Sequence, residues 1–301
     1  MNLYHLELFL AVGEEGSVTR GAERVGVSQP SVSRAVADLE QALGERLFDR
    51  GPKGVVLTEA GRVLIDYARR IFTLEQEAGE ALTDLRGLES GTLSIGASTT
   101  IGDHLLPPVI AAFVASFPAL RFAMEVANTE VIQAGVAGGR YDVGFTEGRV
   151  DASQFDVAVV AEDELVVFCA PSHPVARNTQ TSIIEISQYP FVMRELGSGT
   201  RMLVESSFQG AGVVPLVACE LGSTNAIKQA VIHDLGLGFA SSLAIAGEVA
   251  RGDLVIVKTP LTFNRQLHMI RLAWRGESAA LRQFLRFLLP NAHGDVSLNR
   301  H

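Results

Sequence analysis

Residues 17–50 read SVTRGAERVGVSQPSVSRAVADLEQALGERLFDR, and their spacing decides how the amino-terminal part of the chain folds. Ser17 is a capping residue ahead of a short helix whose apolar side is Val18, Ala22 and Val25. Gly26 and Val27 form a turn. Ser28 caps a second helix that has Pro30 in its first turn, where a missing N–H does no harm. Val32, Val36, Leu39 and Leu43 recur at helical spacing and make one buried face. The polar residues left over, Gln29, Pro30, Ser31, Ser33 and Arg34, gather at the exposed amino-terminal end. That is the end a helix–turn–helix places in the major groove of double-stranded DNA.

Working outward, a helix over Leu3 to Glu14 buries Leu6, Phe9 and Leu10 behind this pair. After Gly44, the run ERLFDRGPKGVVLTEAG reads as a two-stranded wing turning at Gly51-Pro52-Lys53-Gly54. Arg50 and Lys53 fall near its tip, where a wing meets phosphates or the minor groove; the alternative for Lys53 is a solvated hairpin. Thr58 then caps a helix running to about Leu88, in which Leu64, Tyr67, Ile71, Leu74, Ala78, Ala81 and Leu85 repeat in heptads. Such a helix spans about 45 Å. A seam this long and narrow pairs two copies better than it packs on its own domain. Residues 1–58 are therefore read as a DNA-binding head and 59–88 as a linker helix that dimerises.

Charge constrains that reading. The net charge is −9, and residues 1–88 hold 10 Lys/Arg against 14 Asp/Glu, the wrong sign for general nucleic-acid affinity. DNA contact then depends on the local cluster of Arg34, Arg46, Arg50 and Lys53 and on two heads acting together. No apolar run approaches the roughly 20 residues that cross a bilayer. The start, MNLYHLELFL, lacks the positive region of a signal peptide, so a cytoplasmic location is expected. Cys169 and Cys219 lie in apolar β-like runs and read as reduced thiols, with no metal site and no cofactor implied.

From Gly87, Ser90 and Gly91, which read as a hinge, the chain alternates strands and helices. Strands are expected at Thr92–Ala97, Arg121–Val126 and Asp142–Thr146, then from Glu164 to Ala170, and at Phe191–Met193, Leu216–Glu220, Gly238–Ala240 and Leu267–Trp274. Helices are expected at Asp103–Phe117, Thr129–Gly138, from Thr200, from Ser223 and at Ser278–Leu289, with a disordered tail from Asn291. That alternation is an α/β domain with largely parallel sheets. Enzyme signatures are missing. There is no G-x-x-x-x-G-K-[ST], H-E-x-x-H or G-x-S-x-G, and His173 and His233 lack spaced partners, so no catalytic residue is assigned.

Together, the head, the wing ending VVLTEAGRVL, the linker helix and the strand GTLSIGAS resemble the LysR-type transcriptional regulators over essentially the whole chain. ASTTIGDHLLP, GFTEG, RELGSGTR and STNAIK are similar to the subgroup of sulfite-responsive, sulfur-assimilation and carbon-fixation regulators; His104 departs from its pattern. The resemblance implies a winged helix–turn–helix head, a long linker helix and a two-lobed α/β effector domain like type 2 periplasmic binding proteins. Lobe I would comprise 92–161 with 267–301, and lobe II 162–266. It also implies homotetramers, promoter DNA bent differently when effector binds, and DNA contacts from Gln29, Pro30, Ser33, Arg34 and Lys53.

Two segments suit a small anionic effector between the lobes. Ser98-Thr99-Thr100 opens one helix and Ser198-Gly199-Thr200-Arg201 another, and free N–H groups beside hydroxyls make an oxyanion site. Arg194 and Arg201 can add charge-assisted bonds. The alternative is that these hydroxyls are ordinary caps. Glu147 either accepts a bond from a protonated or amine-bearing ligand or pairs with Arg194 or Arg201. Asn225 and Lys228 either line the cleft or cap and solvate their helix, and His104 is either packed or in ligand contact. A sulfite-like oxyanion fits the subgroup motifs; a small organic or phosphorylated metabolite is the alternative, and a solute-binding protein or enzyme using the same cleft is the competing class.

Overall fold

The structure is a computed structural model that describes residues 1–51, 54–84, 91–178, 180–259 and 263–288. It divides into two units, Met1–Leu85 and Arg86–His301. The expectations for Lys53, Leu85, Gly87, Ser90 and the tail from Asn291 lie outside the described residues, as do those for the side chains of Arg50 and Ala81.

The first unit contains α1 (Leu3–Glu15), α2 (Val18–Val25), α3 (Gln29–Leu43), the hairpin β1 (Phe48–Gly51) and β2 (Gly54–Leu57), and α4 (Glu59–Asp84). Ser17 and Ser28 Oγ accept the Arg20 and Ser31 N–H groups, and Thr58 Oγ1 accepts that of Gly61 at 3.0 Å. Between α2 and α3 the chain turns at Gly26, whose φ of 72° is left-handed backbone that favours glycine. Leu6, Leu8, Phe9, Val12, Val32, Val36, Leu39 and Phe48 make the core, with the rings of Phe9 and Phe48 5.2 Å apart. Leu10 is only half-buried and Leu43, the last residue of α3, is exposed.

The heptad seam divides in two. Of its residues, Leu64 and Ile71 are half-buried against the head core beside buried Ile65 and Ala68, whereas Tyr67, Leu74 and Ala78 stay exposed. One apolar pattern therefore serves two faces of α4, and the free one is narrower than the sequence suggested.

The second unit is built from β3 (Gly91–Ser98), α5 (Leu106–Ser116), β4 (Leu120–Ala127), α6 (Thr129–Ala137), β5 (Val143–Glu147), β6 (Phe155–Cys169), α7 (Ile183–Ile186) and β7 (Pro190–Arg194). It continues through α8 (Gly199–Gly210), β8 (Leu216–Leu221), α9 (Thr224–Ile232), β9 (Leu237–Ser241), α10 (Ser242–Arg251), β10 (Val255–Ile256), β11 (Phe263–Leu272) and α11 (Ala279–Leu288). One sheet runs in the order β4-β3-β5-β11-β6-β9-β7-β8, with β10 beside β6. The outer trios are parallel, but β11 and β6 cross the middle antiparallel to their neighbours, so the sheet is mixed.

Two apolar cores flank these crossing strands, one around Leu93, Phe113, Phe145 and Phe284 and the other around Val167, Phe191, Phe208 and Phe239. The fifteen-residue β6 begins at Phe155, well before the expected Glu164, because the charged run Glu162-Asp163-Glu164 masks its alternation. The helix α10 was also unanticipated. Ahead of α5, Ile101–Leu105 form a wider π turn. Pro107 and Pro108 follow, and neither can donate a backbone bond to keep the α register. Among the described residues no helix is long and apolar enough to cross a membrane.

Candidate functional site

In the first unit, Ser28 caps α3 at a surface that holds Gln29, Pro30, Ser31 and Arg34 exposed and Ser33 half-buried. Ser31 is partly committed to the cap, its hydroxyl 2.8 Å from that of Ser28. The acidic balance is partly neutralised elsewhere: Glu14 bonds Arg24 at 2.7 Å and Arg69 at 3.1 Å. Glu40 accepts the N–H groups of Leu47 and Phe48 at the start of the wing. Arg34 has no ion pair among the described residues, so its charge faces solvent.

In the second unit, β3, β5, β7 and β9 end at Ser98, Glu147, Arg194 and Ser241, all on the carboxyl ends of strands where open α/β sheets bind ligands. Ser98 Oγ donates to Glu147 Oε2. Thr129 Oγ1 donates to the Glu147 carbonyl at 3.0 Å, and the Gly199 backbone packs on the same carbonyl, where a Cβ would lie 2.3 Å from the oxygen. Glycine at 199 is thus what lets α8 close on β5. Ser198 caps α8, and Thr100 and Thr200 both face the guanidinium of Arg265 at 3.0 and 2.9 Å. Arg194 Nη2 lies 3.4 Å from Thr99 Oγ1, and Nη1 3.4 Å from Thr224 Oγ1.

The site is closed. Ser98, Thr100, Glu147, Arg194, Ser198, Thr200 and Arg265 are each at least nine-tenths buried. Buried charge must be paired, and here it is. Asp163 accepts from Arg265 Nε at 2.7 Å and from Ser241 at 2.5 Å, and Arg194 forms a two-point pair with Glu195 at 2.7 and 2.8 Å. Burial pushes the Glu195 carboxyl up, but the Arg194 bonds outweigh it and hold the group below the usual carboxylate range. For Glu147 burial wins. Its pKa is raised despite the opposing pull of Arg265, 3.5 Å away, and of Arg194, with Asp163 adding to the rise.

Not every expected residue joins the cluster. Arg201 turns away to Glu205 at 2.7 Å, to Glu220 and to the Arg194 carbonyl, so its charge is spent outside the cluster, and Glu147 pairs with Arg265 instead. Asn225 is exposed on α9, and its neighbour Thr224 makes the contact with Arg194. Lys228 bonds the Ala244 carbonyl and Glu248, a structural role, and His104 is exposed. Arg265, Asp163, Ser241, Glu195 and Thr129 were not anticipated. Phase was the available signal: Arg265 shares strand parity with buried Phe263 and Leu267, and Asp163 with buried Leu165 and Val167.

Comparison with known proteins places both units. Residues 3–62 match the family described as bacterial regulatory helix-turn-helix protein, lysR family, and residues 86–292 match the LysR substrate binding domain. The Escherichia coli (strain K12) protein described as "Uncharacterized HTH-type transcriptional regulator YeiE" is 37% identical over 96% of this chain and 98% of its own. A probable RuBisCO transcriptional regulator of Synechocystis is 35% identical, over 98% of this chain and 88% of that protein. Among solved structures, the Synechocystis CcmR regulatory domain in complex with 2-PG superposes with a TM-score of 0.63 at 27% identity, covering 66% of this chain and 96% of that one. A winged reading head and an effector-binding domain in one chain, matched to relatives that are regulators and not enzymes, make this chain a member of the LysR family of DNA-binding transcriptional regulators.

Proposed function

We propose that this regulator senses a small oxyanion, sulfite or a close relative, between the two halves of its effector domain, and thereby changes how a pair of reading heads bends promoter DNA. The single observation that carries the reading is the closed cluster itself. Hydroxyls of Ser98, Thr99, Thr100, Ser198 and Thr200 and the guanidinium of Arg194 converge where two helical segments begin, in a site too buried for a bulky ligand without opening. The moving bodies are lobe I, 92–161 with 267–301, and lobe II, 162–266. The register shift between Leu267 and His268 on β11 supports a joint there. The heads, 1–58, would be paired by linker helix 59–88 on a pseudo-palindromic site, two dimers forming a tetramer. A small organic or phosphorylated metabolite is the second reading, favoured by the similar regulatory domain solved in complex with 2-PG.

Thermal shift of the full chain with millimolar sulfite, sulfate, phosphate and small carboxylates tests the cleft. A ligand at a hundred times its Kd stabilises by about 2.7 kcal/mol, a readily seen shift. Thr100→Ala is expected to abolish most of the response. An unchanged response to every anion would place the effector elsewhere.

On the DNA side, the direct contacts are assigned to Gln29, Pro30, Ser31, Ser33 and Arg34, with Arg50 and Lys53 on the wing. Arg34→Ala is expected to weaken specific operator binding by about 1–3 kcal/mol if the side chain reads a base edge. A gel-shift titration in which the variant matches the parent on operator and random DNA alike would remove Arg34 from the surface.

A further inference from the structure

Thr100 and Thr200 stand in opposite halves of the second unit, 4% and 5% exposed, and meet at one guanidinium. Arg265 Nη2 donates to Thr100 Oγ1 at 3.0 Å and Nη1 to Thr200 Oγ1 at 2.9 Å. A hydroxyl carries a single proton, and arginine offers no acceptor for it. With both oxygens turned to the guanidinium, both protons point away from it. Neither is donated to a protein acceptor among the described residues. Two buried donors therefore lack a partner beside the cleft.

Arg265 is itself rigidly held. Its Nε donates to Asp163 Oδ2 at 2.7 Å, Nη2 lies 2.6 Å from the same oxygen, and Ser241 steadies the other carboxylate oxygen at 2.5 Å. Because Asp163 already compensates its charge, this arginine adds little net attraction for an anion. What it contributes is geometry, since a planar fork fixes the distance and direction of both hydroxyls at once, which a flexible ammonium does not.

We propose that Arg265 is a positioning residue of the effector cleft: it turns Thr100 and Thr200 into a matched pair of donors for the ionised, acceptor-only oxygens of a small oxyanion. The inference rests on the anion reading above. It couples the halves as well, because the pair is complete only when Thr100 of one half and Thr200 of the other both reach the guanidinium.

Calorimetric titration of the full chain with sulfite and, separately, with inorganic phosphate tests it. Arg265→Lys keeps a cation beside Asp163 and is expected to weaken binding of the responding anion about tenfold or more. Thr100→Val is expected to weaken it comparably in the parent but far less in the Arg265→Lys background, a coupling that a merely structural arginine would not show. Thr100→Ser, which keeps the hydroxyl, restores most of the affinity. Parent-like affinity in Arg265→Lys, or losses that simply multiply, would overturn the inference while leaving the anion reading intact. A parent that binds neither anion would overturn both. If Arg265→Lys does not fold, the same cycle with Asp163→Asn, which loosens the anchor and keeps the guanidinium, carries the same expectation and the same overturning result.

Discussion

Asp163→Ala is expected to destabilise the effector unit by about 3–5 kcal/mol, the cost of leaving a buried charge without its partner. The wild-type carboxylate is 6% exposed and accepts bonds from Arg265 and Ser241. Its removal leaves a guanidinium that is equally buried, with two hydroxyls and a carboxyl group 3.5 Å away as its remaining company. Glu147 compensates only in part, because one of its oxygens stands 3.5 Å from the guanidinium, the other accepts from Ser98, and burial raises its pKa and so disfavours its charged form. Urea unfolding followed by the fluorescence of Trp274, the single tryptophan of the chain, reports on this unit without interference from the head. The double replacement Asp163→Ala with Arg265→Met removes both charges and is expected to recover a good part of the loss. An unchanged midpoint in the single variant, or a double variant no better than the single, would show that the pair does not stabilise the effector unit.

The reading head was legible because its signals are local. A capping serine, a glycine with left-handed backbone and a helical apolar repeat each act within a few residues, and Ser17, Gly26 and Ser28 occupy those roles in the structure. Alternating strands and helices likewise revealed an α/β unit, and the hydroxyl loops at 98–100 and 198–200 announced two helix starts. What stayed hidden depends on contacts far apart in sequence. Asp163 and Arg265 are 102 residues apart, and each looks like an interruption of its own strand until the other is placed beside it. The charged run at 162–164 consequently disguised the first half of β6, and with it the antiparallel centre of the sheet. Arg201 failed for the opposite reason. Its position next to Ser198-Gly199-Thr200 is favourable, but Glu205 one helical turn on and Glu220 on the adjacent strand capture it first. A single sequence shows which groups are near along the chain, and not which partner wins.

The same distinction governs the linker helix, whose sequence seam mixed residues that the fold has already used with residues that remain free. Leu64 and Ile71 are drawn onto the head core, while Tyr67 and Leu74 stay exposed beside Leu3, around a surface hollow of about 520 Å³ that Arg70, Ile71 and Glu75 also line. Together with exposed Tyr4 they give one side of the head an apolar patch that no described residue of the unit covers. If two copies cover it for each other, Leu74→Glu strikes both sides of the two-fold at once. Forfeiting a buried leucine costs about 2 kcal/mol per copy, so the dimer should weaken by about 4 kcal/mol, roughly a thousandfold in Kd, before the repulsion of the paired carboxylates is added. Because Leu74 is 59% exposed in the protomer, the unfolding midpoint of the head should barely move, which separates lost assembly from lost folding. Light scattering at micromolar concentration should show the mass fall by half or more, with binding to a two-half-site operator falling in step and binding to a single half-site unchanged. Equal masses for variant and parent would take this face of α4 out of the dimer and leave its exposed leucine and tyrosine to be explained by another contact.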